Sequence, residues 1–267
     1  MNFELISSLQ NPKIKQVQKL QEKPAERRKN RTMLVEGRKE IELALKAQIP
    51  IQTAFFCSEL INKSDFWELF SGKKLPQNKI FEVTKPVFEK IAYRENSFGV
   101  VLLVEAPVFN LSHLKLSDNP LLLVLENVEK PGNLGAILRT ADAAGIDAVL
   151  VCNPQTDLLN PNVVRSSLGC IFTTQVATCT NEEALVFLKQ KSIQILATAL
   201  TASVPYTQIN FRKPTAILMG TEATGLSEFW LKNASQNIII PMRGEIDSMN
   251  VSVAAAIVVF EALRQRS

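Results

Sequence analysis

Apolar positions recur in two rhythms along this chain, and the pattern changes near residue 106. In the first part Ile14, Val17 and Leu20 stand three apart among lysines, which predicts an amphipathic helix over residues 11–23. A short apolar run at 32–35 reads as a strand leading into Glu36-Gly37, and RKEIELALKAQ after it reads as a helix. Strand-like runs follow at 51–56, 80–83 and 100–104, with helical pieces near 65–70 and 86–93. This alternation predicts a small α/β domain over residues 1–105. Pro107, Asn110, Ser117 and Asp118 punctuate the stretch 106–119, which is expected to be a linker.

Residues 120–267 carry a plainer pattern. LLLVLENV reads as a buried strand, LGAILRTADAAG as a helix ending on Gly145, and DAVLVC as another strand. Further strands are expected at 193–197, 216–219 and 237–241, and VSVAAAIVVFEALRQ forms a final helix. Short apolar strands alternating with helices indicate a largely parallel sheet covered on both faces. No internal repeat or low-complexity segment interrupts it.

Composition changes this picture little. With 267 residues, 46% of them hydrophobic and 21% charged, the chain can form two compact domains without disulfides or a structural metal. The net charge of +4 is mild, but its distribution is uneven. Lys13, Lys15, Lys19, Lys23, Arg27, Arg28, Lys29 and Arg31 face only Glu22 and Glu26 in the same stretch. Such density suits neutralisation of phosphates, although a solvated helix face followed by a basic loop would also produce it. Cys57, Cys152, Cys170 and Cys179 form no CxxC pair and His113 is the lone histidine, so no metal site is expected. The cysteines read as reduced, mostly buried thiols of a cytoplasmic protein. MNFELISSLQNPKIK lacks an apolar signal core, and the apolar run 253–260 is too short to span a bilayer.

Three loops at the carboxyl ends of expected strands could carry chemistry. The first, NVEKPGNLG from Asn127 to Gly135, opens a helix that bears Arg139. Its glycines allow close backbone approach, and a helix N-terminus offers N–H donors to anions. The second, MGTEATGL from Met219 to Leu226, holds Glu222 between two glycines. The third, IIPMRGEIDSMNVSV from Ile239 to Val253, sets Ser248, Asn250 and Ser252 before an alanine-rich helix, where one of them is expected to be the N-cap. Taken singly, each loop could be a plain structural turn.

Together and in this order, they resemble the signature motifs of the SpoU-type (TrmH-like) RNA ribose 2′-O-methyltransferases of the SPOUT superfamily. Asn127, Pro131, Asn133, Gly135, Arg139, Thr140 and Gly145 match the first motif. Gly220, Glu222, Gly225 and Leu226 match the second, and Pro241, Met242, Ser248, Asn250, Val251 and Ser252 the third. LVEGRKEIELAL and FGVVLLV in the N-terminal part resemble the small substrate-binding domain of many members. Lys130 departs from the family, which often has aspartate before the proline.

The resemblance implies an α/β fold whose C-terminal parallel-sheet domain, residues 120–267, is drawn into a deep trefoil knot, with residues 1–105 as an RNA substrate-binding domain. It implies a homodimer with active sites near the subunit interface, and S-adenosylmethionine as cofactor. Carried over by motif position, Gly220, Ile240 and Met249 become cofactor contacts, with Thr198 beside them. Arg139, Asn133, Glu222, Ser248 and Asn250 become the polar active-site set. Lys13, Lys15, Arg27, Arg28, Arg31 and Arg165 are the candidates for RNA contact. The implied activity is ribose 2′-hydroxyl methylation of structured RNA, ribosomal before transfer because the additional N-terminal domain suits such members. Two other readings stay open: a catalytically silent RNA-binding protein of the same fold acting in ribosome assembly or protection, and a nicotinamide enzyme on a Rossmann-like sheet. The absence of GxGxxG weighs against the latter.

Overall fold

In the computed structural model, the first helix begins where Asn11 turns its side-chain oxygen onto the Lys13 N–H at 2.9 Å. Pro12 follows at the first helical position, where its missing N–H costs nothing. The structure describes residues 3–72, 75–93, 97–201, 203–221, 223–246 and 248–267. They divide into two compact units, Met1–Pro107 with Asp157–Thr173, and Val108–Thr156 with Thr174–Ser267.

The first unit runs β1 (Glu4–Ile6), α1 (Pro12–Glu22), α2 (Pro24–Asn30), β2 (Thr32–Glu36), α3 (Arg38–Lys46), β3 (Ile51–Phe56), α4 (Lys63–Leu69), β4 (Ile80–Val83), α5 (Lys85–Ile91) and β5 (Val100–Glu105). Ile14, Val17 and Leu20 of α1 are buried, and each contributes roughly 1.5–3 kcal/mol on leaving water. They pack into one core with Leu34, Phe55, Phe88 and Val101. Pro24 keeps Lys23 extended at φ −109°, which breaks the basic stretch into two helices instead of a helix and a loop. The strands form a mixed sheet in the order β1-β4-β3-β5-β2. β4 is parallel to β1 and β3, whereas β5 is antiparallel to β3 and β2.

The second unit runs β6 (Leu121–Glu126), α6 (Pro131–Ala144) and β7 (Ala148–Cys152), and after an excursion continues with β8 (Val176–Cys179), α8 (Asn181–Gln190), β9 (Gln194–Thr198), β10 (Ser203–Pro205), β11 (Thr215–Met219), α9 (Glu228–Asn233), β12 (Gln236–Ile239) and α10 (Val251–Arg266). Its sheet has seven strands, β10-β12-β9-β11-β6-β7-β8, and every pairing is parallel. β6, β7 and β11 are buried throughout, as a sheet covered on both faces requires. Gly145 ends α6 in the left-handed conformation at φ 63°. Thr180 and Glu183 start α8 by capping each other's backbone N–H. The four cysteines are free thiols, with Cys57, Cys152 and Cys170 buried and Cys179 half-buried. Among the described residues no helix is long and apolar enough to cross a membrane.

The excursion between β7 and β8 belongs to the first unit. Its helix α7 (Pro161–Ser166) lies against β2, covering an edge strand that is buried along its whole length. It also supplies Asp157, whose Oδ2 sits 2.7 Å from Arg27 Nε. Arg27 Nη1 donates to the carbonyls of Leu20 and Gln21 at 2.7 and 2.9 Å. With 2% of its surface exposed, Arg27 cannot meet a phosphate, which corrects its place among the expected RNA contacts. Its charge holds the fold.

Removing one partner of a buried pair leaves the other charge uncompensated, at a cost of about 3–5 kcal/mol. Arg27→Ala should therefore lower the unfolding free energy in urea by about that amount, whereas Arg28→Ala, at an exposed position, should stay within about 0.5 kcal/mol of the parent. Equal effects of the two substitutions would refute the distinction.

Candidate active site

β6 and β11 are neighbours in the sheet, so the loops that follow them emerge side by side. The strand order reverses there: β7 and β8 continue beyond β6, while β9 lies on the far side of β11. Open parallel sheets form their ligand crevices at such a point.

The loop after β11 folds back on itself. Thr221 and Gly225 exchange both backbone hydrogen bonds at 3.1 Å, and the Thr221 and Thr224 hydroxyls meet at 2.8 Å. A Cβ on Gly220 would overlap the carbonyl group of Gly225, so the two backbones touch where no side chain fits. Glu222 lies outside the described residues.

A buried carboxylate anchors this loop. Glu126, the last residue of β6, is 2% exposed. Its Oε2 accepts from Ser227 N–H at 2.7 Å, and its Oε1 accepts from Ser227 Oγ and Asn181 Nδ2 at 2.6 Å each. The Asn181 side-chain oxygen in turn accepts from Trp230 Nε1 at 3.0 Å. The motif pattern overlooked all four residues. A carboxylate closing an otherwise apolar strand was the available signal for Glu126.

Asn250 is the N-cap of α10, accepting from Ser252 N–H at 3.0 Å and Ser252 Oγ at 2.6 Å, as expected of one of the three small polar residues. Its Nδ2 donates to Asn133 Oδ1 at 3.1 Å, which ties the first motif to the third.

Two clefts adjoin at this place. The larger, about 540 Å³, is lined by all four expected cofactor residues, Thr198, Gly220, Ile240 and Met249, together with Leu200 and Ser248. Its size is ample for a nucleoside-sized ligand. Thr198 Oγ1 donates to the Leu218 carbonyl at 2.8 Å, so its hydroxyl serves the sheet. The smaller cleft, about 230 Å³, is lined by Glu126, Asn127, Glu129, Lys130 and Asn133. Met219, Gly220, Thr221, Ala223 and Val251 form a wall common to both. The structure thus brings Asn133, Asn250, Ser248 and the cofactor candidates together. Arg139 is different. It is exposed on α6, six residues beyond Asn133 and so on another helix face, and it lines neither cleft.

In the first unit Lys15, Arg28 and Arg31 are exposed. Lys13 stands 4.5 Å from the centroid of the Phe81 ring and 3.5 Å from the Glu4 carboxylate. Arg165 places its guanidinium 5.5 Å from the Tyr93 ring centroid. Among the described residues no group of His, Cys, Asp and Glu side chains could hold a metal ion.

Residues 120–260 match the SpoU rRNA Methylase family, and residues 11–102 match the MRM3-like substrate binding domain. The 23S rRNA (guanosine(2553)-2′-O)-methyltransferase of Bacillus subtilis is 31% identical over 260 residues, 96% of this chain and 97% of that protein. The tRNA (guanosine(18)-2′-O)-methyltransferase of Escherichia coli is 42% identical over 148 residues, 55% of this chain and 64% of that protein. The AdoMet-bound rRNA methyltransferase of Sinorhizobium meliloti superposes with a TM-score of 0.88 at 30% identity, covering 98% of both chains. With its three motif loops gathered around one pair of clefts and a relative matched along nearly its whole length, the chain belongs to the SpoU rRNA methylase family.

Proposed function

We propose that this protein transfers the methyl group of S-adenosylmethionine to a ribose 2′-hydroxyl of structured RNA, ribosomal RNA before transfer RNA. The observation that carries the reading is the pair of clefts sharing the wall Met219–Gly220–Thr221, with the Asn133–Asn250 bond across the motifs beside them. Preference for ribosomal RNA is supported by the rRNA enzyme of Bacillus subtilis aligning with both units, where the tRNA enzyme aligns with 55% of the chain. The match over residues 11–102 supports RNA binding by the N-terminal unit, and the cytoplasm is the compartment such a reaction needs.

The residues present suit the cofactor. Adenine is flat and largely apolar, and the larger cleft offers Leu200, Ile238, Ile240 and Met249 as walls. Gly220, which has no room for a side chain, leaves its backbone open to close approach. When bound, S-adenosylmethionine supplies an electrophilic methyl carbon on a sulfonium. The protein's part is to align the ribose hydroxyl and ease loss of its proton. Asn133 and Asn250, fixed to each other, position the substrate. Ser248 and Glu222 complete the polar set, Glu222 by orienting neighbouring donors. Arg139 acts as a cation that orients the ribose phosphate and stabilises the developing alkoxide. Neutralising a free arginine at neutral pH would cost on the order of 8 kcal/mol, so general-base action is the weaker account.

Because Arg139 lines neither cleft of its own chain, its action calls for a second copy that completes the site. An apolar face supports that assembly: Val253 and Phe260 of α10, two turns apart, are 50% and 47% exposed. A homodimer would cover them. The deep knot is what membership of the family implies for the second unit.

Five outcomes test this reading. Labelled S-adenosylmethionine incubated with RNA from cells lacking the protein should give a 2′-O-methylated nucleoside; cofactor binding without transfer to RNA or to ribosomal particles would argue against it. Arg139→Ala should cut transfer about 10²–10³-fold with cofactor binding intact, and Arg139→Lys should keep part of the rate. Gly220→Ala should weaken cofactor binding in calorimetry at least about tenfold, since the clash is with backbone. Mixing Arg139→Ala with Gly220→Ala protein should restore activity through mixed dimers if the arginine serves the other copy's site; a mixture as inactive as its components would place Arg139 in its own site. Phe260→Glu should shift the species seen in sedimentation from dimer to monomer.

A further inference from the structure

Two thiols stand together at the carboxyl end of the second sheet, and neither lines the clefts of the site. Cys152 ends β7, Cys179 ends β8, and the two are direct partners across these parallel strands. Their sulfur atoms are 3.8 Å apart. Neighbouring strands lie about 4.8 Å apart, within the roughly 4.4–6.8 Å between Cα atoms that a disulfide bridges. Bonding requires only that the sulfur atoms close to about 2.05 Å.

The two thiols differ in access and acidity. Cys152 is fully buried, whereas Cys179 is half-buried on β8, an edge strand. The hydrogen bond from the Cys152 thiol holds Cys179 below the ordinary thiol range. The same contact, together with burial, pushes Cys152 up. Oxidants attack the thiolate, so Cys179 is placed to react first and Cys152 to resolve it from behind. Cys57 and Cys170 are buried in the first unit.

The pair also borders the anchor of the site. Cys152 is the partner of Glu126 across β6 and β7, and its carbonyl accepts from the N–H of Asn127, where the first motif begins, at 2.9 Å. Cys179 comes two residues before Asn181, which donates to Glu126 at 2.6 Å and accepts from Trp230 Nε1 at 3.0 Å. Drawing the two cysteines together would move both supports of the Glu126 carboxylate.

We propose that Cys152 and Cys179 form a reversible disulfide with hydrogen peroxide as the oxidant, and that this bond slackens the Glu126 anchor and slows methyl transfer. The Cys179 thiolate attacks one peroxide oxygen, the O–O bond breaks, and the departing hydroxide takes up the proton that the thiol released. Cys179 then carries S–OH. The Cys152 sulfur attacks the Cys179 sulfur, the S–O bond breaks, and the second hydroxide leaves as water with the Cys152 proton. Two electrons pass from the thiols to peroxide, and a dithiol reductant returns them. The effect on transfer rests on the proposed methyltransferase activity; the disulfide does not.

The test treats the purified full chain with hydrogen peroxide and follows it by mass spectrometry. The intact mass should fall by two hydrogens, with Cys152 and Cys179 in one cross-linked peptide pair that dithiothreitol separates. Cys152→Ala should leave Cys179 as a sulfenic acid that dimedone captures, and Cys179→Ala should leave Cys152 unmodified. If Cys152→Ala does not fold, the wild-type cross-link and Cys179→Ala decide. The chain has two tryptophans, so Trp67→Phe isolates Trp230, whose emission should change on oxidation and return on reduction. Methyl transfer should fall about tenfold on oxidation, the effect of losing one hydrogen bond to a charged group, and recover with dithiothreitol. Oxidation of Cys179 without a cross-link, or a cross-link to Cys57 or Cys170, overturns the pair. A Cys152–Cys179 cross-link that leaves Trp230 emission and transfer unchanged overturns the switch. A reduced chain without transfer activity overturns the proposed function, and Trp230 emission then decides whether the bond moves the anchor.

Discussion

A carboxylate that accepts three short hydrogen bonds inside the second unit is the constraint on which the site's geometry rests. Glu126 ends the central strand β6, and its two oxygens hold the loop after β11 through Ser227 and the start of α8 through Asn181. Hydrogen bonds to a charged group are worth roughly 1.5–3 kcal/mol each, enough in sum to offset the cost of burying the charge. The fold-back at Gly220–Gly225 is thereby pinned to the same strand that supplies the first motif. Both clefts share that fold-back as a wall, so a shift of Glu126 would distort them together.

The structure also separates two uses of positive charge that look alike in the chain. Arg27 and Arg28 are adjacent, yet one is buried against Asp157 and the other is in solvent. Charge density along a stretch measures what a surface could attract. Which arginines reach that surface depends on the helix break at Pro24 and on a partner that arrives from a distant segment.

That difference explains what could be read from the residues alone. Most elements of the sheets were legible because continuous apolar runs and turn residues are local signals, and the three motif loops were legible because their residue types are unusual together. β1, β8 and β10 escaped because strands of three or four residues at or near a sheet edge carry too little pattern. The attachment of Asp157–Thr173 to the first unit left no local trace, since it depends on α7 packing against β2. Asn133 and Asn250 were each singled out; the bond between them spans 117 positions and needed coordinates to be seen.

The same separation sets an order for synthesis. A ribosome delivers residues one after another, and the first unit remains open until Asp157 reaches Arg27, 130 positions after it. A nascent chain halted at the end of β5 would hold an unpaired buried guanidinium and an uncovered β2 edge. By the time that unit closes, much of the second has already been made. Asn250, which joins the first motif to the third, follows Asn133 by 117 positions. The two units therefore mature as interleaved partners, and the methylation site is assembled only after segments of both have been made.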